Sequence, residues 1–370
     1  MRILHVLATG QRRGAELFAA DLMRALNENG LHQHVALLRD PGSVEARYEP
    51  PTDILGLGGV RFPGLRIEIG SLRALRSLIR RWEPDVLHAH GGEALKYLVF
   101  ASGRSGPPIV YRRIGEAPAR IRTGPRRAVY SNLMRRPGQV VAVAEAIRRE
   151  TIDVFRVPPE RVVTIPRGVD ARRLAPTRSR EEVKRSLGIP NDAQVMLSLG
   201  ALVWEKDPFA HLEVLKRIRR RIEAFHVFAG DGPLRGELET AIRREGLEEH
   251  VLMLGSRSDI GDLLLASDIM LLASRSEGMP GCLIEAGMAG LPVIALSVAG
   301  VPEVVVDGVT GILVEPGDLE GLALGAIRLL DDGEMRRSMA EAARLRCTAF
   351  DIREIAPRYL DIYRRTARAA

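Results

Sequence analysis

Two glutamates, Glu277 and Glu285, stand with seven residues between them inside S-R-S-E-G-M-P-G-C-L-I-E at positions 274–285. The segment follows an apolar run at 269–272 and precedes a helix-like stretch at 286–289. It therefore reads as a strand, a glycine-rich turn and the first turn of a helix. In an open α/β sheet, ligands bind beyond the carboxyl ends of the strands, and a helix N-terminus offers unpaired N–H groups to an anion. A diphosphate is the ligand this setting suggests. Gly278 and Gly281 let the backbone approach it, with Met279 between them, and Pro280 suits a first helical turn where a missing N–H costs nothing. Carboxylates would repel phosphate, so Glu277 is assigned to sugar hydroxyls and Glu285 to a ribose diol, each accepting charge-assisted hydrogen bonds. Taken alone, the pair also reads as a helix cap plus a solvated acid.

Other chemistries lack their residues. No Asp-x-Asp triplet occurs, so no ligand set for a divalent metal is visible, and fixed protein charge must neutralise a leaving diphosphate. Cys282 and Cys347 are the only cysteines and have no Cys-x-x-Cys or His-rich companion, which suggests neither a disulfide framework nor a zinc site and fits a reducing compartment. The run G-Q-R-R-G at 10–14 lacks the G-x-G-x-x-G spacing, so a nicotinamide dinucleotide is not expected. Aromatic residues make up 4% of the chain, which leaves few stacking platforms for nucleic acid.

The elements that must position these residues alternate between short apolar runs and longer amphipathic segments, the pattern of β-α units and a parallel sheet covered on both faces. With 370 residues, two domains are expected. Strands are read at 2–7, 34–38, 86–90, 109–112 and 139–143 in the first half, and at 195–199, 224–229, 251–254, 269–272, 292–295 and 311–314 in the second. Helices are read at 15–29, ending at Gly30, and from a cap at Ser71 to Trp82. The linker falls at 167–179, where Arg172 and Arg173 read as exposed. A final helix at 351–368 carries Ile352, Ile355, Tyr359, Ile362 and Tyr363 on one face and needs a partner surface. The net charge of +7 is uneven. Residues 1–170 hold 27 Lys and Arg against 17 Asp and Glu, and the remainder 27 against 30. Arg112, Arg113, Arg120, Arg122, Arg126, Arg127, Arg135 and Arg136 form the densest basic cluster. It reads either as a face for an anionic lipid or acceptor or as an ordinary solvated face.

The sequence resembles glycosyltransferase family 4, retaining enzymes of the GT-B fold whose signature is E-x7-E in a strand-loop-helix setting. Further segments match in order: S-L-G-A-L-V-W-E-K-D-P at 198–208, F-A-G-D-G-P-L-R at 228–235, L-G-S-R-S-D-I at 254–260 and A-G-V-P-E-V-V-V-D-G-V-T-G-I-L-V-E-P-G-D at 299–318. The resemblance implies an α/β fold of two Rossmann-like domains facing each other across a cleft and hinging at the linker, with the C-terminal helix packing back on the N-terminal domain. The implied division is an acceptor domain at 1–170, a nucleotide-sugar donor domain at 171–348 and the returning helix at 349–370. It implies Lys206 on the donor diphosphate; Gly230 and Gly232 in the third-strand loop; and Ser256 and Arg257 in the turn that contacts the base. In the first half, Gly14 resembles the start of the family's first helix, and His90 in D-V-L-H-A-H-G resembles a histidine that reaches the reacting sugar, with His88 a buried strand neighbour. The sequence departs from the pattern where Ala201 replaces an arginine five residues before Lys206, where Arg167 replaces an asparagine in I-P-R-G-V-D, where Arg112-Arg113 stands in place of a histidine shown by many relatives, and where Ala144 stands in place of the usual serine. Arg167 is a candidate to supply the charge that Ala201 removes.

The expected function is a metal-independent retaining hexosyltransferase with no cofactor beyond a nucleotide-sugar co-substrate, UDP-sugar first, and a glycan, lipid-linked or small-molecule acceptor. His90, Lys206 and Glu277 are the expected catalytic residues. The competing readings are a sugar-nucleotide epimerase or phosphorylase on the same fold, and a non-catalytic binder of an anionic polymer. No run of 18 apolar residues occurs, so a cytoplasmic protein is expected, with possible contact of the basic half with an anionic inner membrane face.

Overall fold

The computed structural model describes residues 1–11, 14–27, 30–39, 48–56, 67–103 and 105–369. The chain divides into two compact units: Met1–Gly168 with Ile352–Ala370, and Val169–Asp351.

The first unit is built on seven parallel strands: β1 (Arg2–Leu7), β2 (His32–Leu37), β3 (Thr52–Ile54), β4 (Val86–His90), β5 (Ile109–Arg113), β6 (Gln139–Ala142) and β7 (Val162–Thr164). Their spatial order is β3-β2-β1-β4-β5-β6-β7, so the chain reverses direction across the sheet between β1 and β4. All five residues of β4 and of β5 are buried, as expected of strands with helices on both faces. The C-terminal helix Ile352–Arg368 belongs to this unit. Its residues Ile352, Ile355, Tyr359, Ile362 and Tyr363 are all buried, in one cluster with Phe18, Leu22, Val86 and Val110. The apolar stripe thus packs on the face of the sheet it was expected to need.

The second unit holds β8 (Gln194–Leu199), β9 (Ala224–Ala229), β10 (Val251–Met253), β11 (Ile269–Leu272), β12 (Val293–Leu296) and β13 (Gly311–Val314), in the order β10-β9-β8-β11-β12-β13. Its reversal lies between β8 and β11. The helix Gly281–Ala289 follows β11 and ends at Gly290, whose φ of 72° is the left-handed conformation that terminates helices.

Several local expectations are corrected. Ser71 does not cap its helix: the helix is Ile69–Trp82 with Glu68 at the cap position, and the Ser71 hydroxyl donates back to Glu68 Oε2 at 3.5 Å from inside the first turn. Pro280 sits at the N-cap, one residue before the helix. The first helix is Gly14–Asn27, and residues 28–29 of the expected span lie outside the described residues. Strands β3 and β7 were not anticipated, each being three residues long. Arg112 and Arg113 are not part of a basic face. Both lie on β5 at 2% exposure, Arg113 tied to Glu150 and Thr151, and Arg112 stacked 3.7 Å over the Phe18 ring.

Candidate active site

In the second unit, the sequence candidates gather at the strand reversal. Gly200 follows β8 with a φ of 149°, and the chain turns through a 3-10 segment, Trp204–Lys206. Lys206 Nζ donates to Glu277 Oε1, which comes from the loop after β11. The pair therefore spans the gap between β8 and β11, the crevice in which open α/β sheets bind ligands. The Glu277 side chain is nearly buried while Lys206 retains 28% exposure. Glu285, in the second turn of the following helix, is also buried, and Arg173 Nη2 donates to its Oε1 at 3.3 Å. Met279, Pro280 and Gly281 are buried in the same turn, and Gly278 is partly exposed.

Two glycines permit the neighbouring loop. A side chain at Gly230 would collide with the Gly200 carbonyl, and one at Gly232 with the Leu202 carbonyl. The loop after β9 thus lies directly on the loop after β8. A bridge between Gly230 and Gly255 brings in the turn with exposed Ser256 and with Arg257. The Arg257 guanidinium binds Asp259 through Nε at 2.8 Å, and that hydrogen bond holds the Asp259 carboxyl below its ordinary range.

Beneath this surface a narrow pocket reaches from Gly200, Ala201 and Lys206 down to His211, Leu272 and Cys282. Below it lies a hydrogen-bond system centred on Ser198. The Ala273 N–H donates to His211 Nε2 at 3.4 Å, so His211 Nδ1–H faces Ser198 Oγ at 2.8 Å. Ser198 in turn donates to the Leu271 carbonyl at 3.1 Å, and His226 Nε2 approaches it at 3.0 Å. Burial, with the Lys206 charge adding to it, pushes the His211 pKa down to about 3.

The first unit shows a different arrangement at its own reversal. His5 on β1 and His88 and His90 on β4 are buried, with ring nitrogens within 4.8 Å of one another. That spacing would suit a shared ion; four of the six ring nitrogens are engaged with each other or with the protein, while His88 Nε2 and His90 Nδ1 have no hydrogen-bond partner among the described residues. His5 Nδ1 lies 3.1 Å from His90 Nε2, His5 Nε2 lies 3.1 Å from Gln33 Oε1, and His88 Nδ1 lies 2.7 Å from the Tyr363 hydroxyl. Burial lowers all three pKa values, that of His5 to about 4. Gly14 and Arg167 also meet in this unit, since a Cβ at Gly14 would stand 2.7 Å from Arg167 Nη1.

A family model described as Glycosyltransferase Family 4 matches residues 12–173, and one described as Glycosyl transferases group 1 matches residues 179–346. The chain belongs to this glycosyltransferase family. Among curated relatives of the family, it is 32% identical over 205 residues to N-acetyl-alpha-D-glucosaminyl L-malate synthase of Bacillus anthracis, covering 55% of this chain and only 53% of that protein. The chain thus spans about half the length of that relative. It is 29% identical to alpha-D-kanosaminyltransferase of Streptomyces kanamyceticus, with 87% of this chain and 89% of the relative covered. Among solved structures, Anabaena Alr3699/HepE in complex with UDP and glucose superposes with a TM-score of 0.84 at 23% identity, over 97% of this chain and 98% of that one. Sucrose-phosphate synthase from Thermosynechococcus elongatus gives 0.84 at 18% identity with full coverage of both chains. The fold is GT-B, two parallel-sheet Rossmann-like units, as the family resemblance implied.

Of the candidates, Lys206, Gly230, Gly232, Ser256, Arg257, Glu277, Gly278, Met279, Pro280, Gly281 and Glu285 lie in the second unit, and Gly14, His90 and Arg167 in the first. Sequence reasoning missed Arg173. It read as exposed, but its side chain is 19% exposed and holds Glu285, whereas its neighbour Arg172, at 60%, turns to Asp170. No local signal marks which of two adjacent arginines pairs with a glutamate 112 positions away. His5 and Gln33 were missed as well, although a histidine and a glutamine on apolar central strands are a cue to a buried polar network.

Proposed function

We propose that the chain is a retaining, metal-independent glycosyltransferase that moves a sugar from a nucleotide-diphosphate sugar, a UDP-sugar, to a hydroxyl of a glycan, lipid-linked or small-molecule acceptor. The observation that carries this reading is the Lys206–Glu277 pair across the β8–β11 reversal, with Glu285 behind it on the helix. Lys206 offsets the negative charge that grows on the departing diphosphate, and Glu277 orients the sugar through its hydroxyls. Glu285, steadied by Arg173, takes the ribose diol. The glycines after β9, the turn at Ser256 and Arg257, and the backbone at 278–281 complete the nucleotide site. In the first unit, Gly14 and Arg167 serve the donor phosphate, and His90 reaches the reacting sugar.

The transfer follows from these roles. The bond between the anomeric carbon and the diphosphate oxygen breaks, leaving an oxocarbenium-like sugar. The acceptor hydroxyl forms its bond on the same face, and the departing phosphate oxygen takes its proton. No enzyme nucleophile enters. The preference for uridine draws on HepE, which was solved with UDP and with UDP-glucose. The acceptor is kept broad because relatives are named for a diphosphoundecaprenol-linked sugar and for inositol 3-phosphate.

The test is a thermal-shift titration in EDTA with UDP, GDP and ADP, comparing the native chain with Lys206→Ala and Glu285→Ala. A ligand of the folded state raises the melting temperature by linkage. A rise with UDP that either substitution removes is expected, and no rise with any nucleotide would overturn the donor site. NMR of the product then decides the stereochemistry, and an inverted anomer would overturn the mechanism.

A further inference from the structure

The polar cluster of the first unit can be read proton by proton. Gln33, on β2, spends both amide hydrogens: its Nε2 donates to the Met23 carbonyl at 2.9 Å and to Asn27 Oδ1 at 2.6 Å. A backbone carbonyl only accepts, so the amide nitrogen must face Met23, and Oε1 must face His5. Asn27 is oriented in the same sense, because its Nδ2 donates at 2.9 Å to the carboxylate of Glu49, which Arg24 holds from the other side at 2.8 Å. Gln33 Oε1 accepts from His5, so the His5 proton is on Nε2. His5 is fully buried and carries that one proton, which leaves a lone pair on Nδ1. Its 3.1 Å contact with His90 Nε2 is then a hydrogen bond only if His90 is protonated at Nε2. The remaining His90 nitrogen, Nδ1, is an acceptor.

That acceptor is conspicuous. His90 Nδ1 is buried and finds no hydrogen-bond partner among the described residues, and the same holds for Nε and Nη1 of Arg112. His90 and Arg112 are register partners on β4 and β5. Arg112 also faces the Tyr359 hydroxyl, so the unmet need on this side is that of the His90 acceptor, which a donating hydroxyl would satisfy. Leaving a buried acceptor unsatisfied is costly, a cost that a bound hydroxyl would relieve.

The geometry points to a directional hydrogen-bond relay, Glu49–Asn27–Gln33–His5–His90, that fixes the tautomer of His90 so that Nδ1 accepts from a hydroxyl of the bound carbohydrate. The role in transfer rests on the function proposed above, whereas the tautomer does not. Gln33 and His5 are positioning residues in this scheme. His88 stands outside the relay, tied to Tyr363.

The test is a long-range 1H–15N correlation spectrum of histidine-labelled protein, with His5 and His90 assigned by single substitutions. Both rings should show a proton on Nε2 and an unprotonated Nδ1. A proton on His90 Nδ1, or a mixture of forms, overturns the relay without any reference to activity, and the wild-type spectrum alone decides it. Gln33→Leu removes the acceptor that orients His5, so both rings should populate both tautomers, and kcat should fall about tenfold with donor KM unchanged, the scale of a lost orienting partner. Gln33→Glu keeps an oxygen facing His5 and should restore the tautomer and most of kcat. A merely structural role for Gln33 predicts the opposite, since glutamate cannot donate to the Met23 carbonyl. Scrambled tautomers with unchanged kcat would overturn the positioning role while leaving the proposed transferase standing. Absence of transfer by the wild type would overturn that function and leave the spectrum to judge the relay.

Discussion

At the point where each sheet reverses its strand order, the two units are built from opposite chemistry. Beside the β8–β11 reversal stand formal charges, Lys206 on Glu277 and Arg173 on Glu285, each a partly exposed cation on a nearly buried carboxylate. Between β1 and β4 stand neutral rings, His5, His88 and His90, each buried and each pushed by burial away from protonation. Charge suits a partner whose own charge grows during reaction, as a leaving diphosphate does. Neutral groups of fixed proton direction suit hydroxyls, which must be oriented rather than neutralised. The second unit has buried histidines too, but His211 and Ser198 satisfy one another and two backbone groups below the surface.

The sharpest way to break the contrast is Lys206→Ala. On the charge-based reading it lowers kcat by roughly 10²–10³-fold, the cost of losing one preorganised electrostatic group, and a steady-state assay that found only a few-fold loss would remove that half of the comparison. Next comes Asp262, the buried carboxylate that ties 177–178 to the helix Ile260–Ala266. It accepts from the Thr177 and Arg178 backbone at 2.6 and 3.2 Å and from the Arg178 guanidinium at 2.9 Å. Burial alone would raise its pKa, but these bonds outweigh it and hold the group at about 2. Asp262→Ala should destabilise the second unit by about 3 kcal/mol, read by urea unfolding, while leaving the first unit in place.

Acid sharpens the comparison from the other side. The folded His5 ring takes up a proton only near pH 4, whereas in the unfolded chain it does so near 6.5. Below pH 6.5 the unfolded state therefore binds more protons, and stability falls with pH, by about 2 kcal/mol per buried ring between pH 7 and 5. The chain has two tryptophans, Trp82 in the first unit and Trp204 in the second, so urea melts of Trp204→Phe follow the first unit alone. Replacing His5 with Gln should flatten that dependence; an unchanged slope would mean that the rings are not neutral in the fold. The smallest effect separates two adjacent arginines. Arg173→Ala should weaken UDP binding about threefold, within the range of one partly exposed ion pair, and Arg172→Ala should leave it unchanged by calorimetry.

The same contrast explains what could be read in the sequence. The second-unit site lies in contiguous motifs on loops that follow largely apolar strands, so Glu277, Glu285, Gly278 and Gly281 were visible from spacing, and Lys206, Gly230 and Gly232 from family resemblance. The first-unit relay joins residues 5, 27, 33, 49 and 90 through contacts between elements, and no short window contains it. Arg112 and Arg113 were misread because a basic pair in a list of arginines looks like surface, yet a central strand covered on both faces buries both members of any adjacent pair. Strand β3 escaped because its exposed and half-exposed residues leave no apolar run. Ser71 escaped because cap residues are equally at home three positions into a helix when an acid precedes them.

The C-terminal helix has a consequence for how the protein is made. Residues 352–369 leave the ribosome after the whole of the second unit, yet Ile355, Tyr359 and Tyr363 close the apolar face formed by Phe18, Leu22, Val86 and Val110. The half that is synthesised first must therefore wait with that face uncovered, while the half synthesised later is continuous and can finish first. At its ends Val169 pairs with Asp351 and donates to the Phe350 carbonyl at 2.9 Å, so the second unit enters and leaves the chain at one point. The second unit is thus one continuous segment set within a discontinuous first unit, and its residues are all synthesised before the first unit's last helix.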